Sequence, residues 1–198
     1  MIKTLFSIDA FVTDVKKWKK KKIAMTKYIN NLKFYRRKPT SFETTRKVLL
    51  EQIDMFGESN QNLTDTLLDI FQDEFHLFGS ECGFKSINIR DSWVVRYKKH
   101  DHQITHHHGR VMYSGIIYLN LDEKQESTTF IAPWPSEVTG QTKLTQLQCK
   151  EGTLAIFPAH LLHFAKPNTI DKDRVVISFV RIIQILKTKN LLHIAGTE

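Results

Sequence analysis

Gly152-Thr-Leu-Ala-Ile-Phe157-Pro158-Ala-His160-Leu-Leu-His163 is the stretch whose reading decides the fold. Glycine opens it as a turn, and Leu154 to Phe157 give a short apolar strand. Pro158 should end that strand and expose the residues that follow, down to His163, at the rim of a barrel. Upstream by 57 residues stands His106-His107-His108. Side chains alternate along a strand, so His106 and His108 point one way and His107 the other. A barrel brings strands distant in sequence together, so these two imidazoles and His163 would make half of an octahedral metal site. Eleven residues after His163 comes Arg174, which opens Arg174-Val-Val-Ile-Ser-Phe-Val180 with Val176 and Ser178 on its own face. A charge facing inward from so apolar a strand needs an anionic partner. A guanidinium can hold a carboxylate by two parallel hydrogen bonds. A metal with open positions beside an anion clamp points to an oxygenase that takes an organic acid as co-substrate.

Around this centre the chain divides. Before Gly83 it reads helical. Phe11, Val12, Val15 and Trp18 fit one helix face. Thr40-Ser-Phe-Glu43 matches a capping box, opening a segment with Val48, Leu49, Ile53 and Phe56 that Gly57 stops. Leu63, Leu67, Phe71, Phe75 and Phe78 recur at helical spacing, and Gly79 ends the run. After Gly83, β-branched and aromatic residues dominate: Val94, Val95 and Tyr97; Tyr113 and Ile116 to Leu119; Phe130-Ile131; Leu154 to Phe157; Val175 to Val180. Gly109, Pro133, Pro135, Gly140 and Pro167 punctuate them, and Pro133-Trp134 reads as a turn. Helices followed by roughly eight short strands predict an α+β chain with a jelly-roll barrel. Asp122 to Thr128 and Ser136 to Gln146 read as loops. Ile182 to Leu192 fits either a strand or a helix.

Composition bounds the function. The chain has 198 residues, 41% hydrophobic and 25% charged, enough for a full core in one domain. Its net charge of +8 allows an acidic or nucleic-acid partner. Six lysines lie in Lys16-Lys17-Trp18-Lys19-Lys20-Lys21-Lys22, which reads first as a solvated helix face. Arg36-Arg37-Lys38 adds to the basic half, yet only Trp18 interrupts the lysines, so base stacking is poorly supported. Cys82 and Cys149 form no CxxC pair and read as reduced thiols. The N-terminus lacks a signal-peptide pattern, and no apolar run approaches the ~18 residues needed to span a bilayer. A cytoplasmic protein without a membrane segment is expected.

The third metal ligand is the open point. A carboxylate is usual two residues after the first histidine, and His108 stands there. Asp101 falls on the opposite face of a regular strand, and Asp122 lies in an expected turn. His108 is therefore taken as third ligand, with His107 and His160 as bystanders or as groups supporting the ligands.

Together these residues resemble the Fe(II)/2-oxoglutarate-dependent dioxygenases, in particular the prolyl-hydroxylase-like group and its short phage and marine bacterial members. The resemblance runs over about residues 90–180. It rests on Tyr97 and, nine residues on, His106-His107-His108; on Ser114-Gly115-Ile-Ile-Tyr118-Leu119; and on Thr128-Thr-Phe-Ile-Ala-Pro133-Trp134. It continues with Glu151-Gly152-Thr-Leu154-Ala-Ile-Phe157-Pro158 and His163, then with Pro167-Asn168 and Arg174 to Ser178. The resemblance implies a double-stranded β-helix, with residues 1–198 as one domain, 1–83 as mainly helical support and 84–185 as catalytic core. It implies Fe(II) on His106, His163 and His108, the last in the place usually held by aspartate. It implies Arg174 on the C5 carboxylate of 2-oxoglutarate, helped by Tyr97, Tyr118 or Ser178. The implied chemistry uses O2 to convert 2-oxoglutarate to succinate and to hydroxylate a substrate C–H.

Two other readings compete. His106-x-His108 and Gly152 to His163 also resemble the two cupin motifs, which would give a three-histidine metal enzyme without 2-oxoglutarate. The glutamate expected after the first cupin histidine pair is missing between Gly109 and Met112, and Arg174 has no role there. The second is a basic nucleic-acid-binding module with a non-catalytic metal site. The primary substrate stays open among a peptidyl residue, an amino acid and a nucleotide, with Trp134, Phe164 and Tyr113 as candidate pocket aromatics.

Overall fold

A computed structural model describes residues 7–36, 54–56, 61–109, 111–136 and 138–180. The capping box at Thr40, Val48, Leu49 and Ile53 of the helical face expected after it, Gly57, Arg37-Lys38 and the tail Ile182 to Leu192 lie outside them. Phe56, expected on that same face, lies instead on a strand, paired with Val94. In chain order the elements are β1 (Phe11–Asp14), α1 (Trp18–Ile29), β2 (Tyr35–Arg36), β3 (Asp54–Phe56), α2 (Gln61–Ile70) and α3 (Gln72–Glu81). Then follow β4 (Asp91–Tyr97), β5 (Gln103–His106), β6 (Tyr113–Asn120), β7 (Thr129–Pro135), β8 (Thr142–Gln146), β9 (Thr153–Pro158), β10 (His163–Ala165) and β11 (Arg174–Val180).

Two antiparallel sheets face each other. The larger has the order β1-β9-β6-β11-β4-β3-β2 and the smaller β5-β10-β7-β8. Strands adjacent in space are distant in sequence, as in a double-stranded β-helix. The strands at the centre of the large sheet are buried on both faces, which explains their continuous apolar runs. Val175, Ile177 and Phe179 join Ile117, Leu119, Leu154 and Ile156 under the helices. The alternate residues Val176, Ile116, Tyr118, Ala155 and Phe157 fill the space between the sheets. Period-two alternation thus sorts each strand into a supporting face and a barrel face.

The helices pack on the supporting face. Leu63, Leu67, Phe71, Phe75 and Phe78 are all in that core, as their spacing predicts. They belong to two helices, however, because Phe71 leaves helical geometry at φ −107°, ψ 23° between α2 and α3. Gly79 lies inside α3; the turn comes at Gly83, with φ +70°. Phe11 and Val12 are also corrected from helix to strand. They sit on β1, paired in register with Ile156 and Ala155 of β9. Long-range pairing overrides the local periodicity there, and Lys17 at φ 54° marks the break before α1.

The lysine run is divided in its roles. Lys21 reaches the buried Glu74 at 2.7 Å, and Lys22 reaches Glu151 at 2.8 Å. Glu74 also accepts a hydrogen bond from Lys16 N at 2.9 Å, so the carboxylate in the core is bonded on both oxygens. Lys16, Lys17, Lys19 and Lys20 are exposed. Trp18 seats over Gly152 and donates from Nε1 to Glu151 at 3.2 Å, locking α1 to the turn before β9.

Gly115 has the tightest packing of the described glycines: a Cβ built there would overlap the ring of Phe179. Phe179 is fully buried, so it cannot swing aside. Gly115→Ala is expected to lose about 1–3 kcal/mol or more from overpacking, lowering the melting temperature by roughly 2–4 °C per kcal/mol. A scanning-calorimetry melting point equal to wild type would contradict this packing.

Candidate metal centre

The two histidine segments meet because β5 and β10 pair antiparallel with His106 directly opposite His163. Just beyond β5, His108 donates its backbone N–H to the carbonyl of Ala159 at 2.9 Å, beside the end of β9. His108 is therefore off the strand, where alternation alone had placed it, yet its ring joins the others. Ring centroids lie 4.3 Å apart for His106 and His163, 5.2 Å for His106 and His108, and 5.1 Å for His108 and His163. One nitrogen of each lies within 4.8 Å of the others.

The backbone fixes which nitrogen faces the centre. His106 Nδ1 is 2.8 Å from the carbonyl of Ile104, and His163 Nδ1 is 2.8 Å from that of Leu161. A carbonyl only accepts, so each Nδ1 carries the proton and each Nε2 keeps its lone pair. Burial, and next the neighbouring His106, push His163 down to about 3. Burial, then His106 and His107, lower His108 to about 4. Both are neutral at physiological pH, the form in which imidazole ligates a metal. This donor set fits a divalent transition ion.

No carboxylate joins the cluster among the described residues. Asp101 is buried in a turn, where its Oδ2 accepts from Lys98 N at 2.9 Å. Asp122 accepts from Lys124 N and faces Lys172 Nζ at 3.1 Å. His107 and His160 are exposed, and His107 Nδ1 accepts from Gly109 N at 2.8 Å.

The same cavity is lined by Arg174, Tyr97, Tyr118 and Ser178 together with the three histidines. Arg174 is buried, with its guanidinium carbon 4.3 Å from the Tyr97 ring centroid. Nη1 donates to Glu126 O and Nη2 to Lys166 O, each at 2.8 Å, while the buried Nε has no partner. Burial lowers the guanidinium pKa, but an arginine stays charged. Its hydrogen-bond partners are neutral carbonyls, so a buried cation with an unmet donor faces the cavity. A carboxylate of a bound organic acid could meet that need. Tyr97 donates to Gln103 Oε1 at 2.8 Å, and Tyr118 donates to Thr128 Oγ1 at 3.0 Å. Burial raises the Tyr118 pKa, so that hydroxyl stays protonated.

Several lining residues went unnoticed in the sequence. Trp93 shares the barrel face with Val95 and Tyr97 by simple alternation, and its ring lies 5.5 Å from His108. Gln103 is three residues from His106 and should face away. A register shift between β5 and β10 puts an extra residue on β5 and restores it to the cavity. Of the expected pocket aromatics, Phe164 lines the cavity. Tyr113 instead packs on Phe78 and Phe84, and the exposed Trp134 lines a separate apolar groove. Pro133 and Trp134 lie within β7 where its pairing with β8 is irregular, and Thr142–Gln146 is strand β8.

Residues 91–180, from the first residue of β4 to the last of β11, match a family model for 2OG-Fe(II) oxygenases. Residues 91–180 form a 2OG-Fe(II) oxygenase domain. Its cofactors are those of the family, Fe(II), 2-oxoglutarate and O2. Solved structures of low identity share the oxygenase fold. The non-haem α-ketoglutarate-dependent epimerase SnoN from nogalamycin biosynthesis matches with TM-score 0.64 and 13% identity, over 87% of this chain and 78% of that one. HygX from Streptomyces hygroscopicus, with nickel and 2-oxoglutarate bound, matches with TM-score 0.61 and 10% identity, over 87% and 82%. A viral collagen prolyl hydroxylase from Paramecium bursaria Chlorella virus-1 matches with TM-score 0.51 and 15% identity, over 88% and 96%. No curated protein sequence matches the oxygenase. No helix among its described residues is long and apolar enough to cross a membrane.

Proposed function

We propose that this oxygenase hydroxylates a C–H bond of its substrate while 2-oxoglutarate is decarboxylated to succinate, with Fe(II) on His106, His108 and His163 and the C5 carboxylate of 2-oxoglutarate on Arg174. The observation that carries the reading is one cavity lined both by three convergent imidazoles and by a buried guanidinium that hydrogen-bonds only to backbone carbonyls and keeps an unmet Nε donor. The cupin reading leaves that guanidinium without purpose. Bound iron, with 2-oxoglutarate and O2, supplies the oxidising power of the reaction.

The chain's own residues bind, orient and keep water away. The carbonyls of Ile104 and Leu161 hold two rings with Nε2 inward. Phe130 and Phe157 pack on the His163 ring at 5.8 and 5.1 Å, closing the site from behind. Arg174 fixes one end of the co-substrate, and Tyr97, Tyr118 and Ser178 shape the space between it and the histidines. The similar folds include a prolyl hydroxylase in complex with a peptide fragment and an epimerase of nogalamycin biosynthesis. The substrate is taken as a peptidyl residue, an amino acid or a nucleotide. The two cysteines stay free, in keeping with a cytoplasmic location.

Succinate formation from 2-oxoglutarate in the presence of Fe(II) and O2 tests the reading directly. His108 gives the sharper probe of the ligand set. His108→Asp is expected to retain Fe(II), since two imidazoles and one carboxylate are a usual Fe(II) ligand set. His108→Ala is expected to weaken Fe(II) by more than about tenfold, against the 10–100-fold typical of lost supporting groups. Equal Fe(II) affinity in His108→Ala, measured by competition with a chelator, removes His108 from the ligand set.

A further inference from the structure

The guanidinium of Arg174 is held by three parts of the chain that are remote in sequence: the carbonyl of Glu126, the carbonyl of Lys166 and the ring of Tyr97. A pair of buried side-chain amides ties those three parts together. We propose that Gln125 and Asn168 are positioning residues for 2-oxoglutarate, setting the aim of Arg174 through the carbonyls that hold it. This rests on the assignment of Arg174 to the 2-oxoglutarate carboxylate.

The bonds are fully paired. Gln125 Nε2 donates to Asn168 Oδ1 at 3.0 Å and to Lys172 O at 2.7 Å, while its Oε1 accepts from Asp122 N at 2.8 Å. Asn168 Nδ2 donates to Tyr97 O at 3.1 Å and to Lys172 O at 2.9 Å, and its Oδ1 also accepts from Ile170 N at 3.3 Å. Only one orientation of each amide works. Carbonyls must receive N–H groups, and backbone N–H groups must meet an oxygen. Gln125 directly precedes Glu126, and Asn168 follows Lys166 by two residues, so the pair fixes both carbonyls that grip Arg174. Asn168 also holds the carbonyl of Tyr97, whose ring lies under the guanidinium.

Neither amide lines the cavity. Asn168 is 1% exposed and Gln125 is 9% exposed. Their influence on the co-substrate therefore runs through Arg174. The backbone of Asn168 separately bonds His100 N and Asp101 O, leading into β5, and those bonds survive a side-chain change. Metal binding should accordingly be spared.

The test is anaerobic calorimetry of 2-oxoglutarate binding to Fe(II)-loaded Gln125→Glu, Asn168→Asp and Arg174→Met, with Fe(II) affinity and melting temperature measured alongside. Gln125→Glu sets a carboxylate against Asn168 Oδ1 and Lys172 O, and Asn168→Asp sets one against Tyr97 O and Lys172 O. Each is expected to raise the 2-oxoglutarate Kd about tenfold, the scale of one buried polar group left unpaired, with Fe(II) affinity unchanged. Gln125→Glu lies on a loop, so it answers the question should Asn168→Asp fail to fold. Wild-type 2-oxoglutarate affinity in the amide variants, with binding lost in Arg174→Met, overturns the positioning role alone. Parallel losses of Fe(II) and 2-oxoglutarate affinity with a lowered melting temperature overturn it too, showing a general structural prop. Wild-type affinity in Arg174→Met overturns the arginine assignment and this inference with it.

Discussion

His163→Ala is expected to abolish Fe(II) binding, lowering affinity by well over the roughly hundredfold that changes around a ligand produce. His163 is the buried member of the triad and faces His106 across β5 and β10 in register. Its Nδ1 proton is committed to Leu161 O, so its Nε2 has one use. Removing the ring also leaves a gap between Phe130 and Phe157, which pack on it. That gap costs stability on the scale of a large-to-small core change, about 2–4 kcal/mol. Metal content after anaerobic loading, measured beside the melting temperature, separates the two effects. A folded His163→Ala protein that retains one tightly bound Fe(II) contradicts the ligand assignment.

Arg174→Met is expected to divide co-substrate binding from metal binding. Methionine keeps much of the aliphatic bulk, so the barrel stays filled while the charge goes. Loss of charge-assisted hydrogen bonds to a carboxylate, about 1.5–3 kcal/mol each, should weaken 2-oxoglutarate about a hundredfold or more. Iron should load as in wild type, because the hydrogen bonds of Arg174 go to the carbonyls of Glu126 and Lys166. Thermal stability gives a second signature. Methionine leaves the carbonyls of Glu126 and Lys166 without their donors, so the variant without ligand should melt below wild type by the few kcal/mol of about two unpaired groups, and the increment that 2-oxoglutarate adds is the readout. At 2-oxoglutarate a hundredfold above Kd, wild type gains about 2.7 kcal/mol, roughly 5–10 °C, and the variant gains almost nothing. Equal stabilisation of both proteins by 2-oxoglutarate contradicts the clamp.

Much of this centre was legible in the sequence because strands obey a simple period. Arg174, Val176 and Ser178 face the cavity together, and Tyr97 brings Trp93 with it by the same rule. Pro158 ends β9 as its chemistry demands, leaving His163 for β10. The departures occur where pairing overrides local pattern. Phe11 and Val12 carry helical spacing but lie on β1, because β9 offers an edge with matching backbone groups. Gln103 reaches the cavity only through an irregular register that no single-strand pattern encodes. Thr142–Gln146 forms an edge strand with exposed side chains, so no buried face betrayed it. The Gln125–Asn168 pair was hidden for a different reason: its partners are mostly backbone groups from three segments, around Tyr97, Asp122 and Lys172, and such partners leave no compositional trace.

The most direct test of the central claim is an anaerobic titration of the Fe(II)-loaded oxygenase with 2-oxoglutarate, followed by the weak visible charge-transfer band of a chelated complex. The band is expected to grow to saturation in wild type, to require about a hundredfold more 2-oxoglutarate in Arg174→Met, and to be absent in His163→Ala. Iron that binds to wild type without ever giving the band on addition of 2-oxoglutarate would contradict the account.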